Sequence, residues 1–347
     1  MLPFVSVIVV TKNNAQTIEK CITGLLNQNY LKDNYEIIFV DGHSVDGTDE
    51  IVNKYAKVYP IIRLYYEDYG TIGYARNVGI NKSKGDIIAY IDGDAYPPND
   101  WLKKIVNIFN DNNELAIVGG LDVLVSDCRV ITSSSSVIDT WRRMRKKVGI
   151  EAIPCIKTVN FAIRRNVALA SGGFDQTLTY WEEPELMARL YVKMGIANIL
   201  YDPELVVYHE RHLSSLGVRL RKLFRNSVVG VPVFLRKHMV QVAIANPVSP
   251  LATNLYMVFA CAAGVLLLMF LTVYGLLLCS LTILLLSYLF LLGVYTLNAF
   301  IHTGKFVWTV PFTLTLGCIV RLAGTLFGLI GWLWSFLRSQ NNAKRSF

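Results

Sequence analysis

Between Leu251 and Ile301 the chain contains no Asp, Glu, Lys or Arg. A run of that length without a charge does not make the surface of a water-soluble domain. A helix crossing a bilayer takes about 20 apolar residues, so the run predicts two crossing helices with a tight break near Gly275. Their expected bounds are 253–273 and 276–298. A third apolar stretch, 306–337, is interrupted by Pro311 and Arg321 and reads as one tilted crossing or a re-entrant pair. Residues 338–347 form a short basic tail.

Charge is divided along the same line. Overall the chain is 53% hydrophobic and 17% charged, where a soluble domain is about a quarter charged. Glu210 is the last acidic residue, and twelve Lys or Arg follow it. Against a whole-chain net charge of +8, the first 210 residues therefore carry −4. The basic residues lie beside the apolar spans, a placement suited to anionic lipid headgroups or a phosphate-bearing lipid and not to nucleic acid. From Leu213 to Met239, Leu213, Leu216, Leu220, Leu223 and Phe224 share one helical face, and Arg219, Arg221, Lys222 and Arg225 crowd the rest. That pattern predicts an amphipathic segment, 213–250, lying on the membrane surface. Basic residues before the first span put the preceding domain in the cytoplasm of a multi-pass cell-membrane protein. Arg338, Lys344 and Arg345 argue for an even number of crossings. Gly324 and Gly328 would permit pairing of the last span with a second copy of the chain. The six cysteines contain no CxxC pair, and three lie in apolar stretches, which fits small apolar fillers in a reducing compartment. Phe4 to Val10 is too short and lacks the basic lead of a signal peptide, so it reads as a first buried strand.

The first 212 residues alternate strand and helix patterns. Val5 to Val10 is a β-branched run; Thr17 to Leu26 places Ile18, Cys21, Ile22 and Leu25 on one helical stripe. Tyr35 to Val40 predicts a second strand, followed by a helix from a Thr48 cap through Tyr55. Ile61 to Tyr66 predicts a third strand, Gly73 to Asn81 a helix, and Asp86 to Ile91 a fourth strand. Glu183 to Met194 predicts a later helix capped by Gly195, and Ile199 to Val207 a further strand. This order predicts an α/β domain, a mostly parallel sheet with helices on both faces. Ligands of such sheets bind beyond the carboxyl ends of the strands, where Asp41 and Asp92 fall.

Asp92-Gly93-Asp94 puts two carboxylates around a glycine directly after a strand. The turn lets both converge on one divalent cation, and hard oxygen ligands suit Mg²⁺ or Mn²⁺ bridging to nucleotide phosphates. Asp41 opens a second acidic strand-end loop and could accept hydrogen bonds from a base or ribose. Asp46 and Thr48, in the same loop, are also good helix starters.

Taken in order, these elements resemble glycosyltransferase family 2. Val7-Ile8-Val9-Val10-Thr11-Lys12-Asn13-Asn14 resembles its first strand and nucleotide loop, with Thr11 and Asn13 on the donor side. Asp41, Ser44, Asp46 and Thr48 match its DxxSxDxT element, and Gly73-Tyr74-Ala75-Arg76-Asn77-Val78-Gly79 its GxARNxG helix. Asp92 and Asp94 match its metal motif, while Val159 to Arg165 and Gly172 to Asp175 match its acceptor-side segments. The resemblance covers about residues 3–212. It implies a GT-A fold, a UDP- or GDP-linked sugar donor, a Mg²⁺ or Mn²⁺ ion and inversion at the sugar's anomeric carbon. It places Asp41 at the nucleobase, Asp92 at the ribose or metal, Asp94 as principal metal ligand and Arg76 near the donor diphosphate. Asn160 falls on the acceptor side. The family's catalytic carboxylate corresponds to Glu183, with Glu182 the second candidate; Glu stands here where Asp is usual, and Pro184 follows. With proline at the first helical position, Glu183 would be the helix N-cap, near the positive end of the dipole. His209 would complete the metal site or touch the diphosphate, with Arg211 and His212 close enough to share that role. Arg211, Arg219 and Arg221 could hold an acceptor phosphate.

The resulting expectation is a membrane-anchored glycosyltransferase acting on a lipid-linked acceptor. Non-lipid acceptors are the alternative, and an inactive scaffold of the same fold a second one. A dinucleotide oxidoreductase needs a GxGxxG loop after the first strand, and Thr11-Lys12-Asn13-Asn14 supplies none.

Overall fold

The computed structural model describes residues 2–126, 129–131, 156–195, 198–210, 216–245, 263, 319–320 and 323–335. The chain divides into two compact units, Met1–Leu213 with Ile244–Ser249, and Ser214–Ala243 with Pro250–Phe347.

In the first unit, β1 (Val5–Thr11) pairs in parallel with β2 (Tyr35–Asp41) and β4 (Ile87–Asp92), and β2 pairs in parallel with β3 (Ile62–Tyr66). β-branched residues fill these strands because both sheet faces are covered, so no polar alternation is needed. Toward one face, Val5, Val7 and Val9 pack with Ile18, Cys21, Ile22 and Leu25 of α1 (Ile18–Leu26) and with Trp101, Leu102, Ile105 and Phe109 of α4 (Trp101–Asp111). Val52 of α2 (Thr48–Ala56) joins that core. Toward the other, Ile8 meets Ile80 of α3 (Ile72–Lys82), Ala168 of α5 (Arg165–Ala170), and Leu186, Met187 and Leu190 of α6 (Glu182–Met194). A Cβ on Gly79 would lie 2.5 Å from Ile8 Cγ2, so this glycine is what lets α3 sit close on β1.

The expectation of a mostly parallel sheet holds only for the first half. The order is β3-β2-β1-β4-β8-β6-β9-β5, with β7 (Arg129–Ile131) beside β6 (Ile117–Ser126). β8 (Phe161–Arg164) lies antiparallel between β4 and β6, and β5 (Ala95–Tyr96) lies antiparallel to β9 (Ile199–Glu210). The sheet is mixed because β8 enters between β4 and β6 running against both. β6 and β9 pair in parallel with a register shift after Gly120. Gly120 faces Asp202, but Leu121 faces Val206. A Cβ on Gly120 would sit 2.0 Å from Leu205 O, so the irregularity requires glycine.

Two expected caps differ. Gly47, at φ 88°, takes the cap position of α2, and Thr48 is its first residue. Trp181, at φ 69°, precedes α6, so Glu183 is the second helical residue and not the cap, and Pro184 is the third. Pro184 still costs no hydrogen bond, because the first four N–H groups of a helix have no intrahelical acceptor.

The second unit contains α7 (Leu216–Phe234), with Pro232 inside it, and α8 (Lys237–Ala245) as far as Ala243. A helical segment over 323–335 packs on α7. A Cβ on Gly324 would lie 2.6 Å from Phe224 O, and one on Gly328 2.6 Å from Val228 O. The small-residue face expected to pair with a second copy is therefore taken up by α7 of the same chain. Among the described residues no helix is long and apolar enough to cross a membrane. The expected spans 253–273 and 276–298, apart from residue 263, lie outside the described residues, as does most of 306–322.

Candidate active site at the carboxyl edge of the sheet

Register brings the carboxylates together. Thr11 faces Asp41 across β1 and β2, and Val10 faces Asp92 across β1 and β4. All of them end at one edge of the sheet. Gly93 lies against Thr11 and Asn14: a Cβ there would meet Thr11 Oγ1 at 2.7 Å. A glycine between the two aspartates is thus a steric requirement as well as a turn residue.

β5 and β9 bring in the third group. Ala95 faces His209, and Glu210 N–H donates to Asp94 O at 2.8 Å. Ligating atoms of Asp92, Asp94 and His209 all lie within 4.8 Å of one another. His209 Nε2 is 3.1 Å from Asp94 Oδ1, and its buried Nδ1 has no hydrogen-bond partner among the described residues. Burial pushes the Asp92 pKa up, the Arg76 charge opposes this, and Asp94 adds to it, to about 6. Burial works to lower the His209 pKa, but Asp122, Asp94 and Asp92 outweigh it and raise it to about 9. Two hard carboxylates and an imidazole converging at one point fit a divalent cation such as Mg²⁺ or Mn²⁺.

Beside this triad lies a second charged group. Arg76 of α3 is 2% exposed. Its Nη1 donates to Glu182 Oε1 at 2.5 Å, and its Nη2 donates to Glu183 Oε1 at 3.2 Å and to Thr158 Oγ1. Thr158 donates its N–H to Glu183 Oε1 at 3.0 Å and its hydroxyl to the same oxygen. Burial raises the Glu182 pKa; Arg76 pulls it down and Glu183 pushes it up, with a net rise. Burial disfavours the Arg76 charge, but Glu183, Glu182 and Asp92 outweigh it. Glu182 is buried and Glu183 is the more open of the pair. Arg76 therefore lies between the two glutamates, and its charge is already matched within the protein.

Asp41 is fully buried, and its carboxylate accepts from Ser44 N at 2.7 Å and Ser44 Oγ at 2.6 Å. It shapes the loop after β2. Asn13, at φ 55°, locks that loop to the β1 loop: its N–H donates to Ser44 Oγ at 2.8 Å and its Oδ1 accepts from Val45 N at 2.9 Å. Thr11 donates to Asn14 Oδ1 at 2.9 Å within the same pair of loops. The GxARNxG helix and the Gly172 to Asp175 loop also join: Asn77 Nδ2 donates to Phe174 O and its Oδ1 accepts from Phe174 N, both at 2.8 Å.

Asn160 departs from its expected place on the acceptor side. It is 1% exposed. Its Oδ1 accepts from Trp101 Nε1 at 2.9 Å, and its Nδ2 donates to Leu121 O at 3.0 Å and Leu205 O at 2.7 Å. With those bonds made in the core, it braces β6 against β9 and α4. Arg211 and His212 lie outside the described residues, as does the Arg219 side chain; Arg221 is exposed on α7 in the second unit. Sequence reasoning missed Thr158 and Asp122. Thr158 lies one residue before the acceptor-side segment Val159 to Arg165, while Asp122 carries no local signal, since only strand register brings it to His209.

The model of the family described as glycosyl transferase family 2 matches residues 6–170. Glycosyltransferase AglE of Haloferax volcanii is 33% identical over 178 residues, covering 51% of this chain and 58% of that protein. A dolichyl N-acetyl-alpha-D-glucosaminyl phosphate 3-beta-D-2,3-diacetamido-2,3-dideoxy-beta-D-glucuronosyltransferase of Methanococcus voltae is 33% identical over 130 residues, 36% of this chain and 40% of that one. The match thus spans about half the length of these curated relatives. Among solved structures, the mannosyltransferase PcManGT from Pyrobaculum calidifontis, in complex with GDP-Man and Mn²⁺, superposes with a TM-score of 0.59. That likeness covers 93% of this chain and 88% of the other at 20% identity, and it shows the GT-A-like fold. Residues 6–170, with their strand-end carboxylates and GxARNxG helix, are thus similar to glycosyltransferase family 2.

Proposed function

We propose that the chain is an inverting glycosyltransferase that moves a sugar from a UDP- or GDP-linked donor to a lipid-linked acceptor at the cytoplasmic face of a membrane. The observation that carries this is the convergence of Asp92, Asp94 and His209 within 4.8 Å at the carboxyl edge of the sheet. A Mg²⁺ or Mn²⁺ ion bound there would neutralise charge on the leaving nucleoside diphosphate. Arg76 keeps its charge beside the same site, where Glu182 and Glu183 balance it. Glu183 is the base candidate: its Oε1 is held by Thr158 and Arg76 while the group stays partly open. Glu182 serves to keep Arg76 in place. Against a hydroxyl acceptor, Glu183 accepts the proton as the new glycosidic bond forms. Against a polyprenyl or dolichyl phosphate, already anionic, it only orients. Asp41, Asn13 and Thr11 act together by holding the two loops that border the donor side.

A lipid-linked acceptor is supported by the basic, apolar second half and by the name of the Methanococcus voltae relative. Phe327, Ile330 and Trp334 are exposed, as are Arg221, Lys222 and Arg225 on α7. Such a mixture suits a membrane surface. The multi-pass arrangement, with the catalytic unit cytoplasmic, rests on the charge asymmetry after Glu210.

Nucleoside-diphosphate release should be measured from a panel of UDP- and GDP-sugars, with membrane lipid extract or with water-soluble glycans and proteins, and with Mn²⁺ or EDTA. Lipid-dependent, EDTA-sensitive release is expected. Release only with soluble acceptors would favour the polysaccharide or protein alternative, and none with any donor would leave a scaffold.

A further inference from the structure

His209 reaches the metal cluster through Nε2, which leaves its other nitrogen to be accounted for. Asp122 of β6 faces Val207 of β9, and His209 lies two residues further along the same strand, so both side chains project from one face. Asp122 is buried, and its Oδ2 is 3.8 Å from His209 Nδ1. A neutral imidazole carries one N–H. If Nε2 offers its lone pair to a cation, the proton must sit on Nδ1, and a buried N–H is costly to leave without an acceptor. Asp122 is the carboxylate placed to accept it. It is itself held: Lys157 Nζ lies 3.0 Å from each of its oxygens. The next residue along, Thr158, holds Glu183. One short segment thus fixes both the carboxylate behind the histidine and the candidate base.

We propose that Asp122, held by Lys157, is a positioning residue: it keeps the His209 proton on Nδ1 and turns Nε2 toward the cation. The inference rests on the metal site proposed above.

The test is titration of MnCl₂ into the full-length chain, with affinity and nitrogen coupling to the ion read by electron paramagnetic resonance. Wild type is compared with Asp122→Asn and Asp122→Ala. Loss of an outer partner of a metal ligand weakens binding by about 10–100-fold, and that drop is expected in both variants, with the histidine nitrogen coupling weakened or lost. Asp122→Asn keeps the side-chain volume, so it carries the test if Asp122→Ala fails to fold, as judged by circular dichroism. Wild-type Mn²⁺ affinity and unchanged nitrogen coupling in Asp122→Asn would overturn the inference alone. Absence of Mn²⁺ binding by the wild-type chain would overturn it together with the metal site.

Discussion

Thr158 and Arg76 both hydrogen-bond to the same oxygen of Glu183, Oε1. Glu183 Oε2 is in none of these bonds. The carboxylate is thereby fixed in direction without being buried as deeply as Glu182. Such an arrangement suits a proton acceptor better than a purely structural ion.

Glu183→Gln keeps the size of the side chain and removes its charge. Positioned general bases contribute about 10²–10⁴-fold to rate. A fall in kcat of that order is expected for a hydroxyl acceptor, measured as nucleoside-diphosphate release. A rate near wild type would remove the base role and point to an acceptor that is already anionic.

Asn160→Ala should affect stability and leave substrate KM unchanged. The substitution removes the partner of Trp101 Nε1 and a donor to Leu205 O, both buried, and a donor to the half-buried Leu121 O. Each unsatisfied buried group costs about 1–3 kcal/mol. Denaturant unfolding of the full chain checks the loss, and a changed KM at unchanged stability would restore Asn160 to the acceptor side.

His209 makes the metal-free fold sensitive to pH. Its folded pKa is raised from 6.5 to about 9, so its contribution is fully present below about 6.5 and is lost as pH rises through about 9. The difference in unfolding free energy between the wild-type chain and His209→Gln, both in EDTA, should shrink over that window. A difference independent of pH would contradict the ion pairing described.

Gly93→Ala should displace the turn between the two aspartates. Its Cβ would meet Thr11 Oγ1 at 2.7 Å and Asn14 Oδ1 at 3.1 Å. Overpacking of this kind typically costs about 1–3 kcal/mol. A lower melting temperature and weaker Mn²⁺ binding are expected, the latter read by titration.

What could be foreseen from the sequence was local. The stripe of Ile18, Cys21, Ile22 and Leu25 is the buried face of α1, because helical spacing alone decides which residues turn inward. Asp92 and Asp94 were visible for a similar reason: a strand, a glycine and two acids lie within a few residues of one another. Partnerships between distant strands were not visible. Nothing near Asn160 announces that its amide is spent on Trp101, Leu121 and Leu205, and nothing near Asp122 announces His209. Trp181 was hidden as well, because its left-handed backbone starts α6 two residues earlier than the Pro184 pattern favours. The opposite arrangement of β8 was missed because alternating strands and helices suggest parallel order by default.

The slip in pairing after Gly120 fixes how much length variation β9 can tolerate. Gly120 faces Asp202 and Leu121 faces Val206, so three extra residues are taken up at that point. Side chains on a strand alternate sides. Residues 203–205 have no partner on β6, so deleting one of them shortens the slip and leaves the pairs from Leu121 and Val206 through Leu124 and His209 in place, with the imidazole still toward Asp94 and Asp122. Homologous chains that retain this histidine should therefore vary in length at 203–205 more freely than at 206–210, where each residue is paired to β6.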